Sequence, residues 1–167
     1  MTDLTIGSQT VSRRSVLVTG GVAAAFLALS GTASDVSANE PRVFTGIVSG
    51  VGAGGYDVVA YFEGGSPTKG DANITASHDG ATWRFASEEN RDRFVSNPAR
   101  YAPQYGGYCA WAAAEGYTAK GDPRHWKVVD GKLYLNFNRR IQRRWERDVP
   151  GNITRANANW PGILSGG

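Results

Sequence analysis

Cys109 is the one cysteine of this 167-residue chain, and with His78 and His125 it makes up the whole stock of soft and borderline metal ligands after Met1. A single thiol cannot close a disulfide within its own chain, so it must serve packing, metal binding or redox chemistry. A closed zinc site of four cysteines, or of three cysteines and a histidine, is excluded by count. A mixed site of Cys109 and His125, completed by Asp57 or His78 or by water, would suit copper or zinc better than calcium or magnesium. The fifteen residues between Cys109 and His125 match no recognised ligand spacing and say only that two segments could meet. A thiolate at Cys109 would need stabilisation from His125, from a nearby arginine or from a helix start after Gly107. Such a thiolate would serve either a metal or attack on a peroxide or disulfide. The packing alternative rests on Tyr108 and Trp111, which flank a residue type often found buried.

Those residues lie behind a leader. Ser12-Arg13-Arg14-Ser15-Val16-Leu17 precedes an apolar run from Val16 to Leu29 and then Val36-Ser37-Ala38, which is the order of a charged region, an apolar region and a small-residue cleavage site. The paired arginines resemble the twin-arginine export signal, and cleavage is expected after Ala38. The apolar run is shorter than the roughly 20 residues a spanning helix needs. The expectation is therefore a bacterial protein, periplasmic or otherwise exported, with no stable membrane span after cleavage and the twin-arginine translocase as its export partner. Arg13 and Arg14 balance Asp3 and Asp35, so residues 39–167 keep the formal charge of +3. That mild excess does not by itself imply a nucleic-acid partner, and none is expected.

The remaining chain has the common size of one domain. Residues 39–55 read as a flexible N-terminal segment, with a short strand at Val43–Val48 and a glycine loop at Gly50–Gly55. Residues 56–160 read as the domain, and 161–167 as a frayed tail. Asp79-Gly80 between Ile74–His78 and Ala81–Ala86 predicts a hairpin, because Asp-Gly tolerates the positive φ of a two-residue turn. Ser87 then supplies an N-cap for a helix that ends at Asn97-Pro98, with Phe94 facing the core. Trp126–Val129, Asp130-Gly131 and Lys132–Phe137 repeat the hairpin, with Leu133, Leu135 and Phe137 on one face. Asn138 caps the following helix, in which Ile141, Trp145 and Val149 form an apolar stripe beside Arg139, Arg140, Arg143, Arg144 and Arg147. Ile153, Ala156 and Trp160 predict a last short helix. The tyrosines and tryptophans around the glycine turns, Trp111 and Tyr117 among them, could also line a pocket or a protein-binding face; exposure together beside Cys109 would distinguish that from ordinary core.

Asp57-Val58-Val59-Ala60-Tyr61-Phe62, Trp83-Arg84-Phe85-Ala86-Ser87 and Phe94-Val95-Ser96-Asn97-Pro98-Ala99-Arg100-Tyr101 resemble the YHS domain family in order and spacing. The segments Tyr-Gly-Gly-Tyr-Cys-Ala and Gly-Lys-Leu-Tyr-Leu-Asn resemble its extended, exported subgroup. The resemblance implies a treble-clef-like core. It also implies that Asp57 opens a ligand-bearing segment, but the family's cysteine positions fall here on Ala60, Ala86 and Asn90, which carry no thiolate.

The expectation is an α+β single domain of two β-hairpins each followed by a helix, non-enzymatic and metal-handling, with copper before zinc. Its ligands would be Cys109, His125 and Asp57, and its partners a metal donor or an envelope protein. The alternative is a cysteine-degraded YHS module that binds a protein partner, and a third reading is a thiol redox enzyme using Cys109.

Overall fold

The computed structural model describes residues 39–165. The expected leader, residues 1–38, and the last two residues lie outside the described residues. Among the described residues, no helix is long and apolar enough to cross a membrane.

The chain is α+β and runs through two similar units. In the first, a 3₁₀ turn at Gly52–Gly55 leads to α1 (Ala60–Glu63), to the hairpin β1 (Asp71–His78) and β2 (Ala81–Phe85), and to α2 (Glu88–Ser96) and α3 (Pro98–Tyr101). In the second, a 3₁₀ turn at Gln104–Gly107 leads to α4 (Ala110–Ala114), to the hairpin β3 (Asp122–Val129) and β4 (Lys132–Asn136), and to α5 (Arg139–Trp145) and α6 (Val149–Asn159). Both hairpins are antiparallel and both close on Asp-Gly turns with positive φ at each turn residue, 49° and 76° in the first and 50° and 70° in the second. That is the left-handed backbone that matches strand twist. Each hairpin carries a register shift at the same place, between Asp71 and Thr75 and between Asp122 and Trp126.

The helix starts are set by side-chain caps. Ser87 Oγ accepts the Asn90 N–H at 3.2 Å, and Asn138 Oδ1 accepts the Ile141 N–H at 3.0 Å. Asn97 ends α2 and caps α3, and Asp148 caps α6 through the Gly151 N–H at 3.0 Å. The single helix expected from Asn138 through Val149 is therefore broken. Asp148 leaves helical geometry to cap α6, so Val149 opens a new helix with Pro150 in its first turn.

Two cores share β4. Leu133 and Leu135 pack with Val58, Trp83, Phe85 and Phe94, whereas Tyr134 packs with Tyr105, Ala113, Trp145 and Ala156 on the other side. Phe94 is buried as expected, but Phe137 lies past the end of β4 and is 40% exposed instead of joining the Leu133 and Leu135 face.

Residues 39–55 depart most from expectation. Val43–Val48 form no strand, and Val51–Gly55 are buried. The Phe44 N–H donates to the Gly106 carbonyl at 2.9 Å, and Tyr108 Oη donates to the Pro41 carbonyl at 2.8 Å. Gly106, at φ 60°, sits where a Cβ would collide with the Arg42 carbonyl, so a glycine is required for this segment to lie against the turn.

Candidate functional site

Cys109 follows the turn Tyr105-Gly106-Gly107, whose φ values of 55°, 60° and 83° reverse the chain into α4. The reversal is pinned by the Cys109 N–H, which donates to the Ala119 carbonyl at 2.8 Å. The residue is 1% exposed. Its Sγ accepts the Phe137 backbone N–H at 3.3 Å and lies 3.8 Å from Asn136 Oδ1. Burial pushes the thiol pKa up from its ordinary value, while the backbone groups of Ala112, Phe137 and Trp111 oppose that shift by hydrogen bonding to the charged form. The net direction is upward, so the resting group is the protonated thiol.

The sulfur lies at the base of an apolar pocket of about 220 Å³ walled by Trp111, Tyr117, Phe137, Arg140 and Ile141. Tyr117 is 51% exposed and Phe137 40%, and both stand on this one rim. The Lys120 ammonium lies 5.1 Å from the Phe137 ring centre, and the Arg144 guanidinium 5.4 Å from that of Trp111. Among the described residues, none of Lys120, Arg140 and Arg144 is paired with a carboxylate. The mouth is thus aromatic and cationic.

No family model, curated protein or solved structure matches the chain.

The expected metal ligands are dispersed. Among the described residues, no three His, Cys, Asp or Glu side chains gather as a metal-holding group, so Asp57, Cys109 and His125 do not form one. His125 lines a different, polar groove of about 290 Å³ with Arg124, Arg139, Gln142, Arg143 and Glu146. His78 stands at the first hairpin turn, 3.7 Å from Asp79 and edge-on to Phe94. Asp57 is fully buried with both oxygens engaged. Its Oδ1 accepts the Val59 N–H at 2.9 Å and the Ala60 N–H at 3.3 Å, and its Oδ2 accepts the Ala86 N–H at 2.8 Å and Asn90 Nδ2 at 2.7 Å. The carboxylate joins the start of α1, the end of β2 and the first turn of α2. It works as a structural hub.

Sequence reasoning missed two things here. Phe137, read as a core residue, is a rim residue, and its position just after β4 is the only sequence signal for that. The second is the correspondence of Gly54-Gly55-Tyr56-Asp57 with Gly106-Gly107-Tyr108-Cys109. The Asp57 N–H donates to the Thr68 carbonyl at 2.8 Å just as that of Cys109 does to Ala119, so the two residues hold equivalent places in the two units.

Proposed function

We propose that this chain is an exported, non-enzymatic binding module that captures an acidic protein segment by seating one apolar side chain in the Cys109 pocket. The observation that carries this is the joint exposure of Tyr117 and Phe137 on the rim of that pocket, among cations that have no carboxylate partner within the described residues. Magnitude selects the class of ligand. A volume of about 220 Å³ falls below the roughly 300–1,000 Å³ of sites that enclose a whole small-molecule ligand. It suits a single side-chain anchor of the kind that dominates protein interfaces. Lys120, Arg140 and Arg144 then favour acidic neighbours around that anchor and speed encounter with them.

The YHS-like, treble-clef-like core belongs to the same proposal. Ala60, Ala86 and Asn90, the positions where the resemblance would place thiolates, each donate a hydrogen bond to Asp57. A carboxylate hub thus stands where the metal-associated form of the family would hold a metal, which supports the reading of a cysteine-degraded module with a partner-binding role. Handling of copper or zinc would rest on Cys109 alone, since His125 faces another groove and the Asp57 oxygens are engaged.

Panning a random peptide display library against the full-length chain tests the proposal. Enriched peptides should carry one aromatic or aliphatic residue flanked by Asp and Glu, and should lose binding to Phe137→Ser and Arg140→Glu. Enrichment indifferent to both substitutions would refute it. Stoichiometric copper or zinc in the anaerobically purified protein, absent from Cys109→Ser, would replace it with the metal-handling reading.

A further inference from the structure

The two units carry opposite charge at matching places. The turn Asp79-Gly80 matches Asp130-Gly131, the cap Ser87 matches Asn138, and the buried Phe94 matches the buried Trp145, so hairpin and helix align residue for residue. In that alignment Glu88 and Asp92 of α2 correspond to Arg139 and Arg143 of α5. Asn73 and Ile74 of β1 correspond to Arg124 and His125 of β3, at the register shift that both hairpins share. The backbone fixes this match, because the Asn73 N–H donates to Asp71 Oδ1 at 2.7 Å and the Arg124 N–H to Asp122 Oδ1 at 2.9 Å.

The reversal is not an exchanged ion pair. In α2, Arg91 serves both acids, 3.8 Å from Glu88 and 2.9 Å from Asp92. Its counterpart in α5 is the neutral Gln142, and among the described residues neither Arg139 nor Arg143 is paired with a carboxylate. The other charges of the groove are matched: Asp122 holds Arg124 at 2.7 Å, and Lys127 holds Glu146 at 3.3 Å. Two positive charges are left uncompensated. The fold gains nothing from them, since cations four residues apart on a helix repel, and Arg139 stands in the first turn of α5, where the peptide dipole disfavours a cation. The first unit builds the same frame with acids there.

We propose that the groove lined by Arg139, Arg143 and His125 is a binding site for a phosphate group, free in solution or borne on a lipid headgroup. Charge selects the ligand class. A phosphate monoester carries about −1.5 to −2 charge at pH 7, which balances the two uncompensated guanidiniums, whereas a single carboxylate leaves one of them unbalanced. Geometry agrees with it, because the planar fork of arginine offers paired N–H donors that match phosphate oxygens. His125 adds a ring N–H donor from the strand side of the groove, and this holds for either neutral tautomer. The volume of about 290 Å³ between polar walls leaves room for the group beside a small substituent. This site is separate from the Cys109 pocket, which uses Arg140 and Ile141 on another side of α5, and it does not rest on peptide capture there.

The test titrates the isotopically labelled full-length chain with inorganic phosphate and with acetate at matched ionic strength, and co-sediments it with phosphatidylcholine vesicles that carry phosphatidic acid. Saturable shifts of the His125, Arg139 and Arg143 backbone amides with phosphate but not acetate identify a ligand free in solution; vesicle binding alone identifies a headgroup. Either response should weaken more than tenfold in the double variant Arg139→Gln, Arg143→Gln. It should be unchanged in Arg147→Gln, which removes one charge outside the groove. Response to neither probe, an equal response to acetate, a response that survives the double variant, or an equal loss in Arg147→Gln would overturn the proposal. Without ligand the double variant should melt at or above the wild type, because a repulsion is relieved. A lower midpoint would show that the fold requires the two arginines, and would overturn the proposal as well.

Discussion

Replacing Asp57 by alanine removes the acceptor for four donors at once. The bond from the Val59 N–H is fully buried, whereas those from Ala60, Ala86 and Asn90 are partly so. A buried donor left without a partner costs about 1–3 kcal/mol, and each partly buried bond to the charged carboxylate contributes about 1 kcal/mol. The sum predicts a loss of about 4–6 kcal/mol, a large share of the stability of a domain this size. Asn90→Ala deletes one partly buried bond and should cost about 1 kcal/mol. Because both changes remove the same contact, the double variant should fall short of additivity by about that amount. Urea unfolding followed by tryptophan fluorescence measures all three variants. An Asp57→Ala protein within about 1 kcal/mol of wild type would refute the assignment of Asp57 as a structural hub.

Two further outcomes follow from the same geometry. Phe137→Ser should cost only about 1–2 kcal/mol of stability, because the residue is already 40% exposed and loses only part of a phenylalanine's burial, and should weaken peptide capture more than tenfold; matched unfolding and binding curves check both halves. Burial, with Glu40 adding to it, pushes the Tyr108 phenol up to about 12. Its folded value therefore lies above the ordinary value of about 10, so its contribution to stability is full below pH ~10 and is lost as pH rises toward ~12. Stability measured across that window should fall less steeply in Tyr108→Phe than in wild type.

The local grammar of the chain was legible because it rests on short-range chemistry. Asp79-Gly80 and Asp130-Gly131 announce their turns, Ser87 and Asn138 their helices, and the alternation of Leu133 and Leu135 one face of β4. Long-range matters were not legible. The burial of Val51–Gly55 depends on a close approach of Arg42 to Gly106, which no local pattern encodes. Tyr134 is buried because β4 lies between two cores, so strand alternation could not rank it. The type of Asp57 invites reading as a ligand, yet its place among four donors makes it a hub. Cys109 stands out in the sequence as the residue to explain, but the bond from the Phe137 N–H to its sulfur, which ties the start of α4 to the end of β4, exists only in three dimensions.

The most direct test of the binding account is a heteronuclear NMR titration of the full-length chain with an acetylated peptide that carries a single phenylalanine among glutamates. The account predicts saturable shifts centred on Trp111, Tyr117, Phe137 and Arg140, abolished by Arg140→Glu. Shifts centred on the His125 groove, or none that saturate, would contradict it.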